Sequence, residues 1–200
     1  IIKVSSYGPL INKENEQKGL HYLKMAADQG NIDSMILYAQ KLYDYNCTRN
    51  KMEALDYFKK AADKNNSYAM FMYGIYANEY QCNKNEGNKY IKMSADQGYS
   101  EALFVYGNIL YRGDGILTDK REAARYFKMA SEKGIIIANL LYGNMLFSGD
   151  GINMDKAKAA QYYKKGSDLG DINCTFMYGC MLLDGDGIPC DEKEASKYLH

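Results

Sequence analysis

Apolar residues recur along this chain at helical spacing, in blocks separated by glycine-bearing breaks. In the clearest stretch, residues 99–134, Ala102, Leu103, Tyr106, Gly107 and Leu110 share one face of a helix predicted over Glu101–Tyr111. Gly113-Asp114-Gly115-Ile116 then stops it, because glycine enters the left-handed backbone region without steric penalty. Ala123, Tyr126, Phe127 and Ala130 give a second amphipathic pattern that ends at Gly134. The first helix of such a pair is termed A and the second B.

The pair repeats. Helix A carries Tyr38, Tyr73, Tyr106, Tyr142 and Tyr178, spaced by 35, 33, 36 and 36 residues, and helix B carries Tyr22, Tyr57, Tyr90, Tyr126, Tyr162 and Tyr198 in step. Self-similarity at such a period marks a stacked solenoid, in which each unit covers the apolar face its neighbour cannot bury alone. The residue after each A-helix tyrosine is small: Ala39, Gly74, Gly107, Gly143 and Gly179. Glycine inside a helix costs about 1 kcal/mol relative to alanine, so its return implies a close approach. The column Gly19, Ala54, Gly87, Ala123, Ala159 and Ala195 on helix B offers a small partner, and small-against-small packing is expected there. The glycine turn returns at Gly149-Asp150-Gly151-Ile152 and Gly185-Asp186-Gly187-Ile188, whereas Tyr43-Asp44-Tyr45-Asn46-Cys47 and Glu79-Tyr80-Gln81-Cys82 replace it earlier. The array should be least regular between residues 43 and 88. Residues 1–13 fit the end of another A helix with a turn at Tyr7-Gly8-Pro9-Leu10, and Asn65 stands where glycine ends the other B helices.

The string Ala102, Leu103, Tyr106-Gly107, Gly113-Asp114-Gly115-Ile116, Asp119, Ala123, Tyr126, Lys128, Ala130 and Gly134 resembles the Sel1-like repeat, a relative of the tetratricopeptide repeat. The resemblance covers about residues 14–200. It implies an all-α fold, an α/α solenoid of about five to six helix-turn-helix repeats forming a right-handed superhelix. We expect one array over residues 1–200, with units at about 1–30 (partial), 31–65, 66–98, 99–134, 135–170 and 171–200 (partial). The family implies an adaptor or scaffold that organises protein complexes. Similar repeats also follow kinase domains in some protist proteins, so a regulatory or targeting segment of a multidomain enzyme is the alternative, and a secreted repeat effector is another.

Charge and composition narrow the partner class. Lys plus Arg and Asp plus Glu number 25 each, which gives no general attraction to nucleic-acid phosphates or anionic membranes. No apolar run is long enough to span a bilayer. Lys24, Lys59, Lys92, Lys128 and Lys164 form a basic column, but Asp28, Asp63, Asp96, Glu132 and Asp168 follow four residues later, so each lysine has a local partner. Acids at a helix C-terminus oppose the macrodipole, which predicts a structural partner for them, such as the amides of the next helix.

No catalytic constellation interrupts the repeat. His21 and His200 are the only histidines, and no GxSxG, GxxxxGK[ST] or HExxH motif occurs. Asp184-Gly185-Asp186-Gly187 lacks the spaced ligands and closing glutamate of a calcium loop. The five cysteines include no CxxC pair; they read as free thiols in a reducing, cytoplasmic setting, with Cys180–Cys190 the one pair in hairpin position. We expect a non-enzymatic chain with no cofactor and no metal, binding a protein or peptide partner as part of a larger chain or complex.

If helix A lines the concave side, its open positions lie two before, two after and five after each tyrosine. The first column is apolar: Ile36, Phe71, Phe104, Leu140 and Phe176. It reads either as part of a groove or as packing between neighbouring repeats. The other two supply the candidate binding residues: Gln40, Ile75, Asn108, Asn144 and Cys180, and Tyr43, Asn78, Tyr111, Phe147 and Leu183. Amides beside an apolar stripe suit a bound peptide, whose side chains enter pockets while its main chain bonds the amides.

Overall fold

The computed structural model describes residues 8–44, 48–80 and 84–199. Among them are eleven α-helices and no strand: α1 (Gly8–Asp28), α2 (Ile32–Asp44), α3 (Thr48–Asp63), α4 (Ser67–Tyr80), α5 (Lys84–Asp96), α6 (Ser100–Arg112), α7 (Lys120–Glu132), α8 (Ile136–Ser148), α9 (Lys156–Asp168), α10 (Ile172–Asp184) and α11 (Glu192–Leu199). Even-numbered helices are A helices and odd-numbered ones B helices. They divide into two compact units, α1–α4 ending at residue 83 and α5–α11 beginning at Lys84. Within each unit every helix packs on the one that follows it.

The division falls inside residues 43–88, where the turns lose their glycines. Tyr43 and Asp44 are the last residues of α2, and Glu79 and Tyr80 close α4, so these four are helical and not turn residues. Tyr45, Asn46, Cys47, Gln81 and Cys82 lie outside the described residues, as do Tyr7 and His200. The turn expected at the start is also corrected: Gly8, Pro9 and Leu10 open α1. Proline is tolerated there because the first-turn N–H it lacks has no helical acceptor.

The glycine turns of the second unit have two separate requirements. Gly113, Gly149 and Gly185 end their A helices at φ of 72°, 74° and 67°, each donating its N–H to the carbonyl four residues back. The second glycine of each turn lies against the start of the preceding repeat's B helix. A Cβ on Gly115 would stand 2.7 Å from Lys84 Cβ, and one on Gly151 or Gly187 would collide with Lys120 or Lys156. Asp119, Asp155 and Asp191 then cap α7, α9 and α11, accepting from the amides of Glu122, Lys158 and Glu194 at 2.9, 3.0 and 2.8 Å. Such caps contribute about 1 kcal/mol each. Asn65 takes the left-handed conformation, φ 67°, that glycine supplies elsewhere.

The two tyrosine series meet each other. Tyr38–Tyr57, Tyr106–Tyr126, Tyr142–Tyr162 and Tyr178–Tyr198 pair edge-to-face, with ring centroids 4.7–5.0 Å apart. This geometry places the positive edge of one ring on the negative face of the other. The glycine after the A-helix tyrosine plays a different part from the one expected. A Cβ on Gly107 would lie 2.9 Å from the Phe127 ring, one on Gly143 2.7 Å from Tyr163, and one on Gly179 2.7 Å from Leu199. Small-against-small packing is thus corrected: each glycine seats the large side chain that follows the B-helix tyrosine.

Two of the acids at the B-helix ends, Asp28 and Asp96, accept from the next repeat's tyrosine hydroxyl in place of the amides expected, while Glu132 and Asp168 are reached by Lys128 and Lys164 of their own helices at 3.8 and 3.4 Å, as the column predicted. Tyr57 donates to Asp28, and Tyr126 donates to Asp96 at 2.8 Å. Lys92 reaches Asp96 at 2.7 Å along the same helix, as the column predicted, while Lys24 reaches Glu53 of the next repeat at 2.8 Å.

One buried contact changes chemistry along the chain. The positions held by Ala95 and Leu103 become Ser131 and Asn139 one repeat later, then Ser167 and Thr175. Ser131 Oγ donates to Asn139 Oδ1 at 2.6 Å, with both residues fully buried, and Ser167 and Thr175 share a hydrogen bond of 2.9 Å. Both halves of the contact turned polar together, so neither leaves a buried group unsatisfied.

Candidate protein-binding face

The three A-face columns fare differently. Ile36, Phe71, Phe104 and Leu140 are half-buried, and only Phe176 is exposed, at 58%. Phe104 lies 6.2 Å from the Phe127 ring, and Leu140 packs on the core formed by Leu146, Ala159, Ala160, Tyr163, Cys174 and Met181. The apolar column is therefore packing, open only on α10.

The candidate binding residues fall into two groups, one per unit. In the first, Gln40 Nε2 donates to Tyr68 Oη at 2.8 Å. Tyr43 stacks on Tyr76 with centroids 4.1 Å apart, and its hydroxyl lies 3.0 Å from that of Tyr80. That hydrogen bond, helped by burial, pushes the Tyr43 phenol up to about 12. Lys51 lies over both rings, 5.4 Å from Tyr43 and 5.0 Å from Tyr80, and bonds the Tyr80 hydroxyl at 3.1 Å. Ile75 and Asn78 are half-buried in α4.

In the second unit Asn108 Nδ2 donates to the Phe104 carbonyl one turn back at 3.0 Å. Asn144, exposed, accepts from the Tyr163 hydroxyl at 2.7 Å through Oδ1. Each amide thus spends one half on the fold and keeps the other: the Asn108 oxygen and the Asn144 NH2 make no hydrogen bond among the described residues. Cys180 is half-buried and Leu183 is exposed.

Tyr111 and Phe147 belong to a feature that the columns did not reveal. Lys120 Nζ bonds both oxygens of Asp150 at 2.8 and 3.0 Å, and Tyr111 Oη bonds Asp150 Oδ2 at 2.8 Å. One repeat on, Lys156 bonds both oxygens of Asp186 at 2.8 Å and lies 5.0 Å over the Phe147 ring. Lys84 pairs with Asp114 in the same way. These rungs tie the first residues of α5, α7 and α9 to the turn of the next repeat. The bonds from Lys120 and then Tyr111 hold the Asp150 carboxyl below the usual carboxylate range, and Asp150 raises the Tyr111 phenol. A constant offset of 30 residues, from 84 to 114, 120 to 150 and 156 to 186, was the available signal in the sequence.

Among the described residues, no group of three His, Cys, Asp or Glu side chains could hold a metal ion, and no helix is long and apolar enough to cross a membrane. Cys174, Cys180 and Cys190 are free thiols; the Cys190 thiol donates to the Leu183 carbonyl at 3.2 Å.

Comparison with known proteins agrees with this architecture. No match was found among curated proteins. Among solved structures the chain is similar to c5321, a protective antigen of uropathogenic Escherichia coli with an SLR fold, at TM-score 0.82 and 24% identity over 90% of this chain. The match spans 39% of that protein's length. It is similar to a Sel1 repeat protein from Oxalobacter formigenes at TM-score 0.82 and 23% identity, covering 95% of this chain and 80% of that one. An immunity protein of Pseudomonas aeruginosa, PA5088, is more distant, at TM-score 0.51 and 19% identity, covering 90% of this chain and 69% of that one. The Sel1 repeat profile matches residues 5–31, 32–66, 67–99, 100–135, 136–171 and 172–200. With six matched repeats and the paired helices they form, the chain belongs to the Sel1 repeat family.

Proposed function

We propose that this chain is a non-catalytic protein-interaction scaffold, and that the A-helix face of its second unit holds an extended peptide. The observation that carries the reading is the complementary state of two amides one repeat apart. Asn108 keeps an acceptor and Asn144 keeps a donor. A peptide main chain offers one of each per residue, so it can bond both. Ile137, 38% exposed and two turns before Asn144 on the same face of α8, supplies apolar surface. The family supports the scaffold role, and the two solved relatives at TM-score 0.82, 24% and 23% identical, support the fold. A cytoplasmic setting belongs to the same reading, supported by the free thiols.

The test is a peptide-display selection against the full chain, repeated with the Asn108→Leu/Asn144→Asp variant. The aspartate keeps an acceptor for the Tyr163 hydroxyl while removing the free donor. Peptides captured by the wild type and lost from the folded variant support the reading. Peptides held equally by both contradict it.

A further inference from the structure

The Tyr142–Tyr162 pair differs from its counterparts in charge and in hydrogen bonding. In the first unit Glu53 accepts from Lys24 at 2.8 Å and from Tyr38 at 3.1 Å, so one carboxylate satisfies a cation and a phenol together. The same helix position is Glu86, Glu122 and Glu194 in other repeats, but Lys158 in α9. The column's other lysine, Lys18, lies in α1, which no A helix precedes among the described residues. In each of the other three edge-to-face pairs at least one hydroxyl bonds a charged side chain: Tyr38 and Tyr57 do so, as do Tyr126 and Tyr198. Neither Tyr142 nor Tyr162 makes a hydrogen bond through its hydroxyl among the described residues. Both rings line a cleft of about 470 Å³ between α7, α8 and α9, with Lys128, Lys158, Asn153 and Gln161 also on its wall. The acids beside the two lysines leave it open. Asp155 pairs with Lys158 at 2.8 Å while capping α9, and Glu132 stands 3.8 Å from Lys128, beyond hydrogen-bond reach.

We propose that this cleft binds an acidic side chain of a protein partner, its carboxylate received by Lys128 and Lys158 as cations and by the Tyr142 and Tyr162 hydroxyls as neutral donors. The ligand supplies from outside the carboxylate that Glu53 supplies from within the first unit. Hydrogen bonds from an ammonium to a carboxylate are roughly twice as strong as neutral ones, which selects the ionised acid over its amide. The cleft is larger than a carboxylate needs. Its remainder is bounded by Asn153 and Gln161, two exposed amides that make no hydrogen bond among the described residues. A side-chain amide both donates and accepts, as a peptide main chain does, so these two fit the backbone that carries the acid. The site shares no residue with the Asn108 and Asn144 amides and does not depend on them.

NMR titration of the full chain with isotope-labelled tyrosine rings reads the cleft directly, with Tyr142→Phe and Tyr162→Phe assigning the two signals. The probes are a capped pentapeptide with one glutamate between pairs of glycines, its glutamine counterpart, and propionate, which is the acid without a main chain. The glutamate peptide should shift both signals saturably and bind at least about tenfold more tightly than either other probe. Lys158→Glu places at an exposed position the acid that four other repeats carry there, so it folds, and it should weaken the glutamate peptide at least about tenfold. Lys158→Arg keeps the charge and should stay within about threefold of the wild type. No saturable shift, equal affinity for the glutamine peptide, or binding unchanged in Lys158→Glu overturns the proposal. Propionate bound as tightly as the glutamate peptide overturns it too, by assigning the cleft to a free carboxylate.

Discussion

The Tyr126 hydroxyl donates to Asp96 Oδ1 at 2.8 Å, joining helix B of one repeat to the end of helix B in the repeat before it. An acid at a helix C-terminus is unfavourable by itself, and here it is retained because a buried tyrosine needs an acceptor. Burial pushes the Asp96 carboxyl up, but the hydrogen bonds from Lys92 and Tyr126 outweigh it and leave it lowered. Tyr126→Phe should keep the ring pair with Tyr106 and lose only this bond. We expect a loss of about 1 kcal/mol in chemical denaturation, at the low end for a bond to a charged group because Asp96 is half exposed.

Glycine substitutions separate the ring seats from open helix. Gly107→Leu and Gly143→Leu should each destabilise by about 1–3 kcal/mol, since a Cβ already comes within 2.9 and 2.7 Å of the facing rings. Gly19 has no heavy atom within 4 Å of where its Cβ would stand. Gly19→Ala should therefore stabilise, by about 0.5–1 kcal/mol through helix propensity alone. Thermal melts of the three variants check the contrast.

The Ser131–Asn139 pair should behave as a unit. Ser131→Ala leaves a buried amide oxygen without its donor and should cost about 1–3 kcal/mol. Ser131→Ala with Asn139→Leu recreates the alanine–leucine contact of Ala95 and Leu103 and should recover most of that loss. A double-mutant cycle in urea measures the coupling.

The helix pairs, their order and the glycine-bounded turns of the second unit were legible in the sequence because they depend on local periodicity and on a repeat that samples it many times. The glycine seats were misread: spacing puts Gly107 and Ala123 on facing helices, but only side-chain direction decides that Phe127 fills the gap. The places of the candidate residues on the A helices were legible, and their contacts were not. Nothing in the spacing of Asn144 reveals that Tyr163 takes its oxygen, or that Tyr111 is tied to Asp150 across a repeat.

Acid should weaken the rungs. Because the Asp150 carboxyl is lowered in the folded chain, its contribution is fully present above the unfolded carboxylate value and is lost as pH falls through the lower folded value. Asp150→Asn should therefore melt below the wild type at neutral pH, with the gap narrowing below about pH 4. Melts across that range check the sign.

The thiols should differ in reactivity. Burial pushes Cys174 up to about 12, while Cys190 is exposed. Native-state alkylation near neutral pH followed by peptide mapping should label Cys190 and leave Cys174 untouched until the chain is unfolded.

The most direct test of the scaffold reading is titration calorimetry of a peptide selected on the wild type against Asn144→Asp and Asn108→Leu, with melting temperatures recorded for each. The account predicts an affinity loss of about tenfold in each variant with little change in melting. Unchanged affinity in both would contradict it and remove the amide-lined face as the binding surface.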